Sequence, residues 1–196
     1  DASDSIGGAD GVIIDAGTAP NYTFTGGQLD FSANTGESSN AITEDAYVDL
    51  PNGVVSSAVS AGTDGSVAFE FWAAVTETHT WQRFGDFGDS NDGEDTSAGG
   101  GTAGYILITP NSGRYGDGLE ITNHTTTGQE PNVGLQGPSA VGTELHVVAV
   151  YNHNNPRSVT TEGSNGTMSL YLNGNLVGHG PIHPDIDLRS GSFNDV

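Results

Sequence analysis

An all-β fold is what this sequence predicts, and three observations predict it. Apolar residues fall in short alternating or unbroken runs, each closed by Gly, Pro or Asn-Gly, the punctuation of strands and hairpins. Thirty glycines, with many Ser, Thr, Asn and Asp, call for frequent turns. Few segments repeat with a helical period. At 196 residues the chain fits one β-sandwich or barrel, so residues 1–196 are read as a single domain.

In chain order, residues 1–20 are rich in Asp, Gly and Ala around one apolar run, Val12-Ile13-Ile14. Leu29-Asp30-Phe31 and Tyr47-Val48-Asp49-Leu50 alternate and predict short strands, the second closed by Pro51-Asn52-Gly53. Val54 to Ala61 predicts one short helix or 3₁₀ turn. Ser66 to Val75 is the longest β pattern. Val67, Phe69 and Phe71 share one face, and Ala68, Glu70 and Trp72 the other. Large apolar groups on both faces predict a central strand with Trp72 in the core. Gln82, Phe84 and Asp86 share a face of the next strand. Gly88 to Gly104 is then a loop with no hydrophobic residue larger than Ala.

Tyr105 to Thr109 and Leu119-Glu120-Ile121 predict two further strands, and Thr125 to Pro131 a loop. Leu145 to Tyr151 is a near-continuous apolar run, which predicts a strand buried on both faces. Met168 to Leu172 and Leu176-Val177 form a hairpin about Asn173-Gly174, a pair that favours the type I′ turn. No repeat of 20–50 residues and no linker divides the chain.

Charge narrows the classes of function. Twenty-five Asp and Glu face four basic residues, all arginine (83, 114, 157 and 189), for a formal charge of −21. An acidic secreted protein and adaptation to high salt both account for this, since salt screens a self-repelling surface. Nucleic acid and anionic membranes need a basic footprint and are poor partners, so neither nucleic-acid binding nor membrane insertion is expected. The absence of Cys excludes disulfides and thiolate chemistry. No apolar run approaches a membrane span, and Asp1-Ala2-Ser3-Asp4 is polar rather than a signal sequence, so a secreted protein would be present as a mature form or fragment. Three Asn-x-Thr sequons, at Asn21, Asn123 and Asn165, are explained by chance in a chain rich in Asn and Thr.

Five motifs in order carry a resemblance. They are Asp45 to Gly53; Phe69-Glu70-Phe71-Trp72; Trp81-Gln82-Arg83-Phe84-Gly85-Asp86-Phe87-Gly88; Leu145-His146-Val147-Val148; and Tyr171-Leu172-Asn173-Gly174. From about Leu29 to Val196 the chain resembles the laminin-G-like, concanavalin-A-like domains of bacterial secreted and surface proteins. Its Trp81 to Gly88 run is one residue shorter than the family's. The resemblance implies a two-sheet antiparallel jelly-roll β-sandwich, used to bind sugars or to adhere. Family members continue past the segment matching Ser192 to Val196 into another strand. Its absence here predicts an open sheet edge beside Asp185 to Leu188. Residues 1–20 folding back, through Val12-Ile13-Ile14, or a neighbouring chain would occupy that edge.

Candidate sites are few. The acidic loop Asp86 to Asp95 offers Asp86, Asp89, Asn91, Asp92 and Glu94 as oxygen ligands for Ca²⁺, without EF-hand spacing; a solvated acidic loop is the other reading. Asp86, on the face of Phe84, is expected to be buried and in need of a partner. Arg83 points to the opposite face by strand alternation, which leaves backbone donors or a metal, with structural pairing preferred. Among six His, His146 is expected as a hydrogen-bonded core residue, and His179 with His183 has a spacing that a metal uses only weakly. Sugar binding uses an exposed aromatic plane beside polar groups, for which Trp81 and Tyr115 are the candidates, with Tyr22 behind them.

An enzyme is the competing class. A jelly-roll glycosidase needs paired carboxylates, and the Glu-x-Asp-x-x-Glu strand of retaining members of the fold is absent, as are a nucleophile elbow and a phosphate loop. The expectation is a secreted or cell-surface, non-catalytic module for a glycan or cell-surface polysaccharide. A structural subunit of an extracellular filament or surface layer, self-assembling through the open edge, is the alternative, and a glycosidase comes after both. The charge also predicts that the melting midpoint rises from low to molar NaCl. A flat or falling midpoint in thermal melts counts against a self-repelling surface.

Overall fold

The computed structural model describes residues 8–15, 17, 19–34, 45–61, 65–88, 104–116, 118–124, 130–139, 141–153, 166–189 and 194–195. Its elements in chain order are β1 (Val12–Asp15), β2 (Thr23–Thr25), β3 (Gln28–Asp30), β4 (Ala46–Asp49), α1 (Val54–Ala61), β5 (Ser66–Ala74), β6 (Gly85–Gly88), β7 (Tyr105–Ser112), β8 (Gly118–His124), β9 (Asn132–Gly134), β10 (Glu144–His153), β11 (Gly166–Leu172), β12 (Asn175–Ile182) and β13 (Asn194–Asp195). Among the described residues the fold is all-β with one short helix, and every strand pairing is antiparallel. Among the described residues no helix is long and apolar enough to cross a membrane.

Two sheets dominate, one in the order β12-β11-β10-β5 and one in the order β13-β6-β7-β8-β9. They share a core. Val147, Ala149, Tyr151, Met168 and Leu170 fill it from the first sheet, and Phe87, Ile106, Ile108, Ile121 and Val133 from the second. Phe69 stacks on Phe87 across the gap at 4.7 Å, and Phe71 meets Phe84 edge-on at 5.2 Å. Helix α1 adds Val55 and Val59 to the same cluster. Where β9 lies against β12, Cβ atoms at Gly178 and Gly180 would stand 2.9 and 2.8 Å from Val133 side-chain atoms, so only glycine admits this approach.

Several sequence expectations hold. The helix spans Val54–Ala61, and Asn173 (φ 50°) with Gly174 (φ 78°) turns β11 into β12 with both central residues left-handed, as a type I′ turn requires. Others need correction. Ser66–Ala74 is an edge strand, not a central one: Glu70 is exposed and Trp72 is 62% exposed. The two-faced apolar pattern is real, but β10 covers only one flank of β5. Strand β10 is the interior one; its second face, with His146, Val148 and Val150, is half-buried rather than core. His146 therefore lies outside the core, and among the described residues the buried histidine is His153.

Phe84 and Asp86 do not share a face. Trp81 takes a left-handed backbone (φ 68°), and β6 begins only at Gly85, so alternation cannot be run back through Phe84. Phe84 and Phe71 pack together against the core, while Asp86 looks the other way. Strands β7 and β8 are longer than expected and β9 was not anticipated, because Thr109-Pro110-Asn111 and Thr122-Asn123 lack the apolar alternation that marks strands. Val12-Ile13-Ile14 does form a strand, but on β4 through Ile13↔Val48. Asp185 to Leu188 is no sheet edge; Ile186 and Leu188 are buried there. His179 lies on β12 bonded to Ser169 Oγ, and His183 contacts Asp185.

Asn123 ties the two sheets together at one end of the core. It is 0% exposed. Its amide Nδ2 lies 3.2 Å from Pro181 O and 3.3 Å from Met168 Sδ, and its Oδ1 accepts from His183 N at 2.9 Å. Asn123 is therefore closed to glycosylation in the folded chain. Asn123→Ala leaves the His183 N–H without that acceptor in a buried setting and is expected to cost about 2–4 kcal/mol. Chemical denaturation checks this, and a loss below about 1 kcal/mol would show that the strut is dispensable.

Candidate functional site

Register determines which residues of the five-stranded sheet look away from the shared core. Asp86 pairs with Leu107, Leu107 with Thr122, and Thr122 with Asn132, so these form one outward row. Thr109 and Glu120 form the next, and Gly88 and Tyr105 lie on the other side. This face is not bare. Leu107, Thr109, Glu120 and Thr122 are buried, and the chain around Trp81, the β7–β8 turn and Glu130 contribute side chains at its rim.

Glu120 is 0% exposed, and its carboxylate is held by one group at the end of β7 and one from the β7–β8 turn. The Ser112 hydroxyl donates to one oxygen, and Arg114 Nη1 donates to the other at 2.8 Å. Burial pushes the Glu120 carboxyl above its usual range, and Ser112 and Arg114 pull it back. The second guanidinium nitrogen of Arg114 pairs with Glu130. Glu130 in turn accepts from Tyr105 Oη at 2.7 Å. Asn132 Nδ2 donates to the Glu130 carbonyl at 2.8 Å, and Asn132 Oδ1 accepts from Tyr115 Oη at 2.7 Å. Burial raises the Tyr105 hydroxyl, with the Asp86 charge second, and burial followed by the Glu120 charge raises Tyr115.

Arg114 also lies over the Trp81 indole, its Cζ 5.3 Å from the ring centroid, a cation–π contact. Trp81 N–H donates to Asn111 O at 2.7 Å, and Arg83 Nη1 donates back to the Trp81 carbonyl. These bonds hold a bulky residue at φ 68°, a conformation that costs about 1–3 kcal/mol. Arg83 Nε donates to Asp86 Oδ2 at 2.8 Å. Asp86 thus has its structural partner, and the partner is Arg83. Because Arg83 precedes the strand, it is free of the alternation that would have turned it away.

The expected site residues divide accordingly. Trp81 and Tyr115 come to the same rim, linked through Arg114, Glu130 and Asn132. Tyr22 is elsewhere, edge-on to Phe24 at 6.1 Å. Asp89, Asn91, Asp92 and Glu94 lie outside the described residues. Asp86 serves Arg83, and a guanidinium on its carboxylate disfavours a second cation there. Among the described residues no three His, Asp or Glu side chains gather as a metal site. Sequence reading missed Glu120, Arg114, Glu130 and Tyr105 as a group. A signal existed: Glu120 interrupts the apolar triplet Leu119-Glu120-Ile121, and Arg114 is one of only four cations available to pair with it.

The known proteins offer no guide to this arrangement: no family model, no curated protein and no solved structure matches the chain.

Asp86 has a pH signature. Its side chain is 19% exposed, and burial, opposed by Arg83, pushes its carboxyl from 3.8 up to about 6. A folded value above the unfolded one means that its contribution to stability is complete below 3.8 and is lost as pH rises through about 6. Asp86→Asn removes that loss. Relative to the parent, the variant is expected to gain up to about 3 kcal/mol between about pH 4 and pH 7. Paired melts at the two pH values check this, and a gap that fails to widen with pH overturns it.

Proposed function

We propose that the chain is a secreted or cell-surface, non-catalytic module that binds carbohydrate or adheres through it, built as a concanavalin-A-like jelly roll. Two antiparallel sheets about one core, with consecutive strands β5 and β6 in different sheets, support the jelly-roll form. The observation that carries the function is Trp81. A half-buried aromatic held in a costly left-handed conformation, with Arg114 over its ring and Tyr115, Glu130 and Asn132 nearby, offers a sugar a fixed aromatic edge with polar groups around it.

The non-catalytic part of the reading rests on how the site's carboxylates are used: Asp86 is paired with Arg83, and Glu120 and Glu130 share Arg114, whereas a glycosidase pair needs carboxyl groups that are free to act. A companion Ca²⁺ site on Asp89, Asn91, Asp92 and Glu94 belongs to the same reading, since these are oxygen donors on a glycine-containing loop.

A glycan array read with and without Ca²⁺ tests the proposal. The wild type is expected to bind a defined glycan set, Trp81→Ala to lose it, and Tyr115→Ala to weaken it about tenfold. Absence of binding in both conditions overturns the carbohydrate reading. Calorimetry with no heat at millimolar Ca²⁺ leaves the 89–94 segment as solvated charge.

A further inference from the structure

The first sheet carries an aromatic arrangement of its own on the face turned away from the core. Alternation along β5 puts Trp72 there, directly opposite His146 of β10. The two rings stack with centroids 4.4 Å apart and planes 15° apart. Among the described residues β5 is the last strand on this side, so His146 covers one face of the indole and no described strand flanks the other. The stack is also held in place. His146 Nε2 bonds Glu70 Oε1 at 2.8 Å, and His146 N–H donates to Asn173 Oδ1 at 3.0 Å. In the adjoining row Glu70 is followed by Val148, Tyr171 and Leu176, the last 57% exposed. Strands β5, β10, β11 and β12 contain no Lys or Arg.

We propose that the Trp72–His146 stack is a second carbohydrate platform, one that takes an uncharged glycan on the open indole face; the ligand class rests on the reading given under Proposed function. Chemistry on this face removes the other occupants. An anionic ligand finds no cation on these strands and a net charge of −21 behind them. A wholly apolar ligand would strip water from Glu70 and His146 and return no hydrogen bonds. A second copy would bring two strongly negative bodies together. A neutral pyranose meets both halves of the surface. Its C–H face lies on the electron-rich indole, and its ring hydroxyls donate to the Glu70 carboxylate. A pre-oriented aromatic also loses little side-chain entropy on binding.

Trp72 and Trp81 are the chain's two tryptophans, so each surface can be followed separately. The probes are three soluble uncharged polysaccharides: a β-glucan, a galactomannan and a dextran. Native affinity electrophoresis compares wild type, Trp72→Ala and Trp81→Ala. The emission of Trp81→Phe, with Trp72 as its only tryptophan, is followed under acrylamide quenching. At least one polysaccharide is expected to retard the wild type and to shield Trp72 from acrylamide. Trp72→Ala is expected to weaken retardation about tenfold with an unchanged melting point, since the ring is exposed. Equal retardation of wild type and Trp72→Ala, with loss in Trp81→Ala, overturns this platform and leaves the Trp81 reading standing. Loss in Trp72→Ala alone does the reverse. Failure of all three polysaccharides to retard the wild type overturns both.

Discussion

Glu120 puts a carboxylate where it has no water, and much of one side of the protein is arranged around that fact. An unpaired buried charge costs several kcal/mol, so the chain has to bring hydrogen-bond donors to it. Ser112 comes from the end of β7 and Arg114 from the turn that joins β7 to β8. Once Arg114 is there, its remaining guanidinium surface is committed as well. One nitrogen takes Glu130 and its plane takes the Trp81 ring. Glu130 fixes Tyr105, and Asn132 at the start of β9 joins the Glu130 backbone to Tyr115. A single buried acid therefore sets the conformation of a turn, a rim and the entrance to a strand. Removing Arg114 alone would leave the Glu120 charge buried, which costs about 3–5 kcal/mol.

How much of this was legible in the sequence follows from which interactions are local. The helix Val54–Ala61, the Asn173-Gly174 turn and the strand around Leu145–Tyr151 depend on neighbours a few residues away, and composition reveals them. The place of β5 in its sheet depends on which strands pair, which no residue of β5 encodes. A strand with Phe on one face and Trp on the other reads as central, whereas its Trp instead stacks on a histidine and faces water. Arg83 and Asp86 show the same limit at short range. Strand alternation separates them, but the left-handed turn at Trp81 delays the strand and lets them meet. Glu120 was visible as an acid in an apolar triplet, while its partners, eight and six residues back, required the turn to be known.

The two outward faces of the sheets use aromatic rings differently. On the five-stranded sheet, Trp81 and Tyr115 belong to a network whose polar atoms are largely committed to one another, so the rim is stiff. On the four-stranded sheet, Trp72 is held by one neighbour and is otherwise open. Stiffness costs little at the moment of binding, but it demands that a ligand match the groups already in place. An open plane with few partners is more permissive.

Charge distribution sharpens the contrast. Two of the four arginines, Arg83 and Arg114, are consumed at the five-stranded face, against Asp86, Glu120 and Glu130. Arg189 is paired within its own segment to Asp187. Three of the four cations are thus engaged with carboxylates of the same chain. The remaining surface is left to carboxylates, which repel one another and any anionic partner. Under the proposed reading, recognition on such a body would rely on apolar planes and on acceptors for neutral donors, and the scarcity of arginine leaves both faces unsuited to an acidic ligand.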